Sequence, residues 1–450
     1  MVESSAPKIK LDALRMMPVE GFAFEGVCDT SNDNRMLMGV VEVGFNQLAP
    51  DIYDVRLMTT RGPNEGILTV SEGKPGAALW IPGRGANLNG PAGGVYSDLA
   101  YELKDAGITS LRMAYRDADS FEESVLDALV WLSFLKGIGA KEIVCVGNTV
   151  GGSVAIPAAI IHPQVKALAI VTPQADDTGM VESVSPKPIL IIHGGQDTRI
   201  PVDVAHDLYR RAADPKELVI YPEGGYALAE CKNELRQKLG IWAMEQLGRV
   251  NDYLEAVESR GDGFPDVVKS IQSEGGPSRQ VKLTRSSIVD MEVDGLVCTT
   301  GTWLDLKNTA LAAEIVEKGG WKIQEELWAQ GPLVVGDVGV TSPGDLKAKH
   351  ILHAITGGDS ADEPLTRDEA ILEATRNTLL MADEMRLKTI AMPAIGTGGR
   401  GYPMEKAARL MVATVASHLS GDTTLEHVTI GVVSDGAYRS FESQFQQLPD

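Results

Sequence analysis

Apolar and polar positions alternate along this chain in two successive series, each mixing short apolar runs with longer stretches of helical period. In the first, Val55–Thr60 and Gly66–Val70 read as paired strands around a Gly-Pro-Asn turn, because apolar runs bounded by turn residues fit a pleated ladder. Ala77–Ile81 reads as a buried strand ending in the loop Pro82-Gly83-Arg84-Gly85. A helix at Tyr96–Ala106 stopped by Gly107, strand Thr109–Met113, helix Phe121–Lys136 and strand Glu142–Val146 follow. A helix from Gly151, strands Ala167–Val171 and Ile189–His193, helix Val202–Ala213 and strand Leu218–Tyr221 complete the series. Strands separated by helices need crossovers, which predicts a mainly parallel sheet covered on both faces. Ahead of it, residues 1–52 carry only fragments of strand pattern such as Met38–Val43 and read as an N-terminal extension.

Between 251 and 279 the periodicity lapses into Gly/Ser/Pro-rich sequence, which favours a linker. The second series starts near Gln280, with strands Val281–Leu283, Gly295–Cys298, Gly336–Val340, His350–Ile355, Thr389–Met392 and His427–Val433. Helices Thr309–Lys318, Arg367–Leu387 and Met404–Leu419 lie between them, the second opened by a Thr366/Glu369 capping box. The chain is thus expected to hold two α/β domains, 53–250 and 280–450, the second a three-layer α/β/α unit.

Composition narrows the partners. The 450 residues are 44% hydrophobic and 23% charged, as in globular proteins, and their formal net charge of −21 disfavours nucleic-acid and anionic-membrane binding. A local pocket of backbone N–H groups still attracts phosphate. Cys28, Cys145, Cys231 and Cys298 are dispersed, with no metal-ligand spacing, which suits a reducing cytoplasm. The N-terminus lacks the apolar run of a signal peptide, and no stretch approaches the length of a membrane span. Nothing calls for a metal or cofactor, and oligomeric state stays open.

Two motifs carry candidate chemistry. Strand Ile143–Val146 runs into Gly147-Asn148-Thr149-Val150-Gly151-Gly152 and then a helix, the shape of a nucleophile elbow. With the Pro82–Gly85 loop, the segment Pro188–Asp197 and the segment Tyr221–Leu228, it resembles the α/β-hydrolase family, in particular dienelactone-hydrolase-like or carboxylesterase-like members, over about residues 54–247. The resemblance puts the nucleophile on Thr149, the acid on Asp197 and the base on Tyr226. Threonine is β-branched and costly in a strained elbow, and a phenol with a pKa near 10 is no neutral-pH base. In this fold the base follows the acid, and the one later histidine of the domain is His206, inside the next helix. A Ser-His-Asp relay is therefore not expected. Thr149 and Asp197 read either as scaffold or as parts of a noncatalytic pocket under the Pro82–Gly85 loop. Ser153, one turn into the helix, reads as a nucleophile or, equally well, as helix N-cap chemistry.

The second motif is Pro393-Ala394-Ile395-Gly396-Thr397-Gly398-Gly399-Arg400-Gly401-Tyr402-Pro403, between a buried strand and a helix. Its glycines leave N–H groups free to converge, and the helix terminus adds partial positive charge, so a diphosphate can be held there. With Val293–Val297, Gly336–Thr341 and Lys347–Ile355, the region 279–448 resembles a macro domain, which implies binding of ADP-ribose or a related nucleotide. Several family positions differ. Ser287 stands for the adenine-binding acid, Cys298-Thr299-Thr300-Gly301 for the ribose-contacting stretch, and Asn308-Thr309-Ala310-Leu311 for the first glycine-rich loop, whose side chains are expected to fill diphosphate space. Ala312 stands for the catalytic acid of de-ADP-ribosylating members. Thr299, Thr300 and Asn308 remain able to bond a ribose, and Tyr438 to stack on a base. Trp303 reads as packing or as the cover of a pocket, His350 and His353 as core or edge residues, and Asp359, Asp362 and Glu363 as a solvated loop. Three functions stay in view: a nucleotide-binding protein with a silent hydrolase-like half, a hydrolase with unorthodox residues, and an assembly protein that has lost both ligands.

Overall fold

The computed structural model describes residues 38–449 apart from 73, 74, 86, 260–262, 274, 275, 308, 358–364, 399 and 400. It comprises two compact units, the first ending at Gly261 and the second starting at Asp262.

The first unit is built on nine strands: β1 (Val40–Ala49), β2 (Ile52–Thr59), β3 (Gly62–Thr69), β4 (Gly76–Ile81), β5 (Thr109–Met113), β6 (Glu142–Asn148), β7 (Val165–Val171), β8 (Ile189–Gly194) and β9 (Lys216–Tyr221). Their order is β1-β2-β3-β5-β4-β6-β7-β8-β9. The six from β5 to β9 run parallel, and β1 to β3 form an antiparallel extension. The sheet therefore begins inside the stretch read as an extension, at Val40. Helices α1 (Pro91–Asp105), α2 (Phe121–Gly137), α3 (Val150–Ile161), α4 (Asp203–Arg211), α5 (Lys232–Gln246) and α6 (Val250–Ser259) complete it. Strands β4, β5 and β8 are buried at every position, as parallel strands sandwiched between helices must be.

Helix α6 lies in the expected linker, yet it packs on the first unit. Its Tyr253 hydroxyl donates to Glu102 Oε2 at 2.6 Å, and a Cβ on Gly240 of α5 would collide with that hydroxyl. The small residue lets the ring approach, which ties the segment down despite its weak periodicity.

In the second unit the strands are β10 (Val267–Ile271), β11 (Arg279–Thr284), β12 (Gly295–Thr300), β13 (Val338–Thr341), β14 (His350–Ile355), β15 (Thr389–Pro393) and β16 (His427–Gly431). Their order is β10-β11-β16-β15-β12-β14-β13, with five central parallel strands and antiparallel edges. Helices α7 (Ala310–Gly319), α8 (Lys322–Trp328), α9 (Arg367–Glu384), α10 (Met404–Ser420) and α11 (Asp435–Phe445) flank the sheet. The Thr366/Glu369 capping box opens α9. Among the described residues no helix is long and apolar enough to cross a membrane, and no cluster of His, Cys, Asp and Glu could hold a metal ion.

Candidate functional site

The loops that follow the parallel strands carry both candidate sites. In the first unit Thr149 links β6 to α3 with φ 51° and ψ −115°, a strained conformation for a β-branched residue. The surroundings enforce the turn. A Cβ on Gly147 would collide with Gly151 O, and one on Gly151 with Ile81 O. The Thr149 amide donates to Val171 O at 2.9 Å. Its side chain is 7% exposed, and its hydroxyl makes no hydrogen bond among the described residues. A Cβ on Gly83 would reach within 2.5 Å of Thr149 Oγ1, so the Pro82–Gly85 loop passes directly over the elbow. Tyr115, a half-buried residue whose phenol is pushed well above its ordinary pKa by desolvation, anchors that loop by donating to Pro82 O at 2.8 Å.

Asp197 follows β8. Its Oδ1 accepts the Arg199 and Ile200 amides at 2.8 and 2.9 Å, a turn closed by its own carboxylate. Oδ2 is buried without a hydrogen-bond partner among the described residues. The residue that approaches it is His193, absent from the expected site. Its Nε2 is 3.7 Å from Oδ2, too far for a hydrogen bond, and donates instead to Ile200 O at 2.9 Å. Within the described first unit His162 caps the opposite end of α3 from the elbow, and His206 is exposed on α4. Tyr226, the residue that the resemblance assigns as base, is half-exposed, with the Arg199 guanidinium 4.8 Å from its ring centroid. Thr172 Oγ1 donates to Tyr226 O at 3.5 Å, one residue beyond the Val171 carbonyl that holds Thr149, so Tyr226 belongs to this end of the sheet. Ser153 donates to Asp176 O at 2.8 Å and does not cap the helix.

In the second unit the Pro393–Pro403 loop joins β15 to α10. Gly396 has φ +79°, and a Cβ there would collide with Ile371 Cδ1, whereas Gly401 has φ +60°. Both glycines are therefore demanded by the turn. Gly398 is different. Its φ is not left-handed, and a Cβ on it would meet nothing within 4 Å among the described residues. The Gly396 and Gly398 amides make no hydrogen bond among the described residues, and the N-cap Pro403 offers α10 no side-chain cap. Thr397 donates its hydroxyl back to Ala394 O at 2.8 Å. Gly399, Arg400 and Asn308 lie outside the described residues, as do Asp359, Asp362 and Glu363.

The loop after β12 is pinned from below. Buried Gln324 of α8 accepts from Leu306 N at 2.8 Å and donates to Leu304 O at 2.7 Å. Thr299 is half-buried, whereas Thr300 is buried with its hydroxyl 3.4 Å from Asp305 O, turned into its own loop. Leu311 packs on the core cluster beside β12. Ser287 Oγ lies 3.4 Å from Glu314 Oε2.

Tyr438 is a correction. It is 1% exposed, its hydroxyl donates to Pro265 O at 2.5 Å, and its ring packs edge-on against Phe264 at 5.0 Å. Burial pushes its phenol up to about 12. No face remains for a base. Trp303 is 70% exposed.

Residues 23–255 match the dienelactone hydrolase family and residues 297–411 the macro domain family. A macro domain-containing protein of Caldanaerobacter subterraneus is 33% identical over 177 residues, 38% of this chain and 97% of the relative. An uncharacterised Pyrobaculum aerophilum protein is 37% identical over 172 residues, 37% of this chain and 92% of the relative. An esterase domain from Rhodothermus marinus aligns with TM-score 0.37 and 19% identity over 43% of this chain and 98% of its own. The chain belongs to the dienelactone hydrolase family through its N-terminal domain and to the macro domain family through its C-terminal one.

Proposed function

We propose that this protein binds an ADP-ribose-type nucleotide, or another phosphate-bearing ligand, at the β15–α10 loop of its macro domain. The observation that carries the reading is Gly398: neither backbone strain nor packing requires a glycine there, yet the position is bare and its amide points to no partner among the described residues. Convergent N–H groups at a helix N-terminus suit a diphosphate without lysines. Gly399 and Arg400 belong to the same proposed cradle, with Thr299 and Asn308 toward a ribose.

The hydrolase-family half is proposed to be catalytically silent toward esters. A hydroxyl nucleophile needs a nearby proton acceptor, and Tyr226 stacked by Arg199 is a poor one. The strained Thr149 hydroxyl under the Gly83 loop favours the competing reading, a hydrolase with unorthodox residues.

A thermal-shift titration of the full chain with ADP-ribose tests the first reading. Binding to the folded state alone adds about 2.7 kcal/mol at a hundredfold excess over Kd. Gly398→Glu, which sets a carboxylate in the open space, is expected to abolish the shift; a shift that survives locates the ligand elsewhere. Turnover of p-nitrophenyl acetate that disappears in Thr149→Ala would establish the competing reading.

A further inference from the structure

We infer that the side chains of Glu326 and Gln330 latch the free edge of β13 and so bar a second copy of this chain from adding a strand there. Strand β13 ends the second sheet, with β14 on one side. Ile355 N donates to Asp337 O at 2.9 Å, and the antiparallel register continues from there, so residues 337, 339 and 341 turn their main-chain groups toward β14. Val338, Val340 and Ser342 turn theirs outward. Such an edge is a template for another chain.

Side chains already fill that template. Gln330 Oε1 accepts from Val340 N at 3.0 Å, and its Nε2 donates to Val340 O at 2.7 Å. These are the two bonds that a peptide unit of an added strand would make. One rung along, Glu326 Oε2 accepts from Ser342 N at 2.7 Å, and its Oε1 accepts from Ser342 Oγ at 2.9 Å. The spacing fits, because residues four apart on a helix rise about 6 Å and residues two apart on a strand about 6.7 Å. Gln330 N donates to Leu327 O at 3.2 Å, which holds the turn at the end of α8 in place. The end of α8 therefore stands in for a strand.

Gly339 shows how close the fit is. Its φ is not left-handed, yet a Cβ there would lie 2.9 Å from Leu327 Cδ1 and 3.1 Å from Gln330 Oε1. The strand itself does not need the glycine; the approach of the latch does.

A second copy is the occupant excluded, because the edge is self-complementary. An antiparallel copy centred on Val340 presents the same three outward residues in reverse order, the isologous pairing of a twofold dimer. The edge is also apolar. Val338 and Val340 are half-buried, and exposed Val334 reaches its start, with its amide donating to Asp337 Oδ2 at 2.9 Å.

The test is sedimentation velocity of the full chain over a concentration series, read beside hydrogen exchange at the Val340 amide. The variant Glu326→Ala/Gln330→Ala opens the edge; neither side chain is buried, so the core is left intact. Its Val340 amide exchanges about tenfold faster than in wild type at low concentration, as loss of a hydrogen bond requires. Its weight-average mass climbs with concentration toward twice the wild-type value. Glu326→Ala/Gln330→Lys also gives up the latch but sets a charge on the edge, so it exchanges fast and keeps the wild-type mass. A double-alanine variant with wild-type mass at every concentration overturns the inference, as does a Val340 amide that still exchanges at the wild-type rate. Equal self-association in the lysine variant overturns it too, because the contact then lies elsewhere.

Discussion

The guanidinium of Arg199 lies 4.8 Å from the ring centroid of Tyr226, so a cation stacks on the phenol that the family resemblance assigns to the base position. The rest of the framework persists: the elbow conformation at Thr149 and a buried Asp197 Oδ2 that lacks a hydrogen-bond partner among the described residues. Restoring the two missing groups together, Thr149→Ser with Tyr226→His, is expected to raise p-nitrophenyl acetate hydrolysis at least about 10²-fold over wild type, the lower range of general-base catalysis. A double variant as slow as the parent would mean that position 226 does not reach both partners.

The two glycines of the β15–α10 loop are expected to separate structure from binding. Gly396→Ala forces a left-handed φ on alanine and drives its Cβ into Ile371. It should cost about 1–3 kcal/mol in urea unfolding. Gly398→Ala meets no atom of the described residues within 4 Å, so its effect on stability should stay within about 0.5 kcal/mol. Equal losses would mean that Gly398 has a structural duty after all.

Gln324 holds the Leu304–Leu306 turn from a fully buried position. Gln324→Leu leaves a backbone donor and a backbone acceptor without their partner, and should destabilise by about 2–4 kcal/mol. The emission of Trp303 on the same loop would report whether the turn loosens before global unfolding.

Much of this architecture was legible in the chain because parallel strands buried on both faces leave long apolar runs, as at Ile189–His193, and because Gly147, Gly151 and Gly152 bracket a turn that tolerates no side chain. The misreadings have specific causes. Strand β10 shows alternation over only five residues, Val267–Ile271, between Gly/Pro-rich flanks, so edge pairing to β11 was invisible. Tyr438 looked available, yet Ala437, Tyr438, Phe441 and Phe445 fall on one helical face, a signal that marks it as core. His193 escaped notice because the expected order places the base after the acid, whereas this imidazole approaches Asp197 from the preceding strand. The stacking of Arg199 on Tyr226 depends on tertiary placement and has no counterpart in local pattern.

Acid should destabilise the second domain through His353. Desolvation lowers its folded pKa from 6.5 to about 4, its Nε2 lying 2.9 Å from Thr341 Oγ1. The unfolded chain therefore takes up the proton first: the stability is fully present above about pH 6.5 and is lost as pH falls toward 4. Burial shifts His162 the same way, to about 4, whereas Asp127, pushed up to about 6 by burial, opposes them. His353→Gln, which cannot titrate, should flatten the unfolding free energy against pH by up to one proton across this window. An unchanged slope would show that His353 is protonated in the folded protein.

The claim that main-chain amides of the β15–α10 loop grip a phosphate is tested most directly by amide NMR of the full chain during titration with ADP-ribose. The Gly396 and Gly398 N–H resonances should move downfield together, saturating with the ligand, and Gly398→Glu should remove the response. Saturable shifts confined to other residues, with both glycine amides unmoved, would contradict the account.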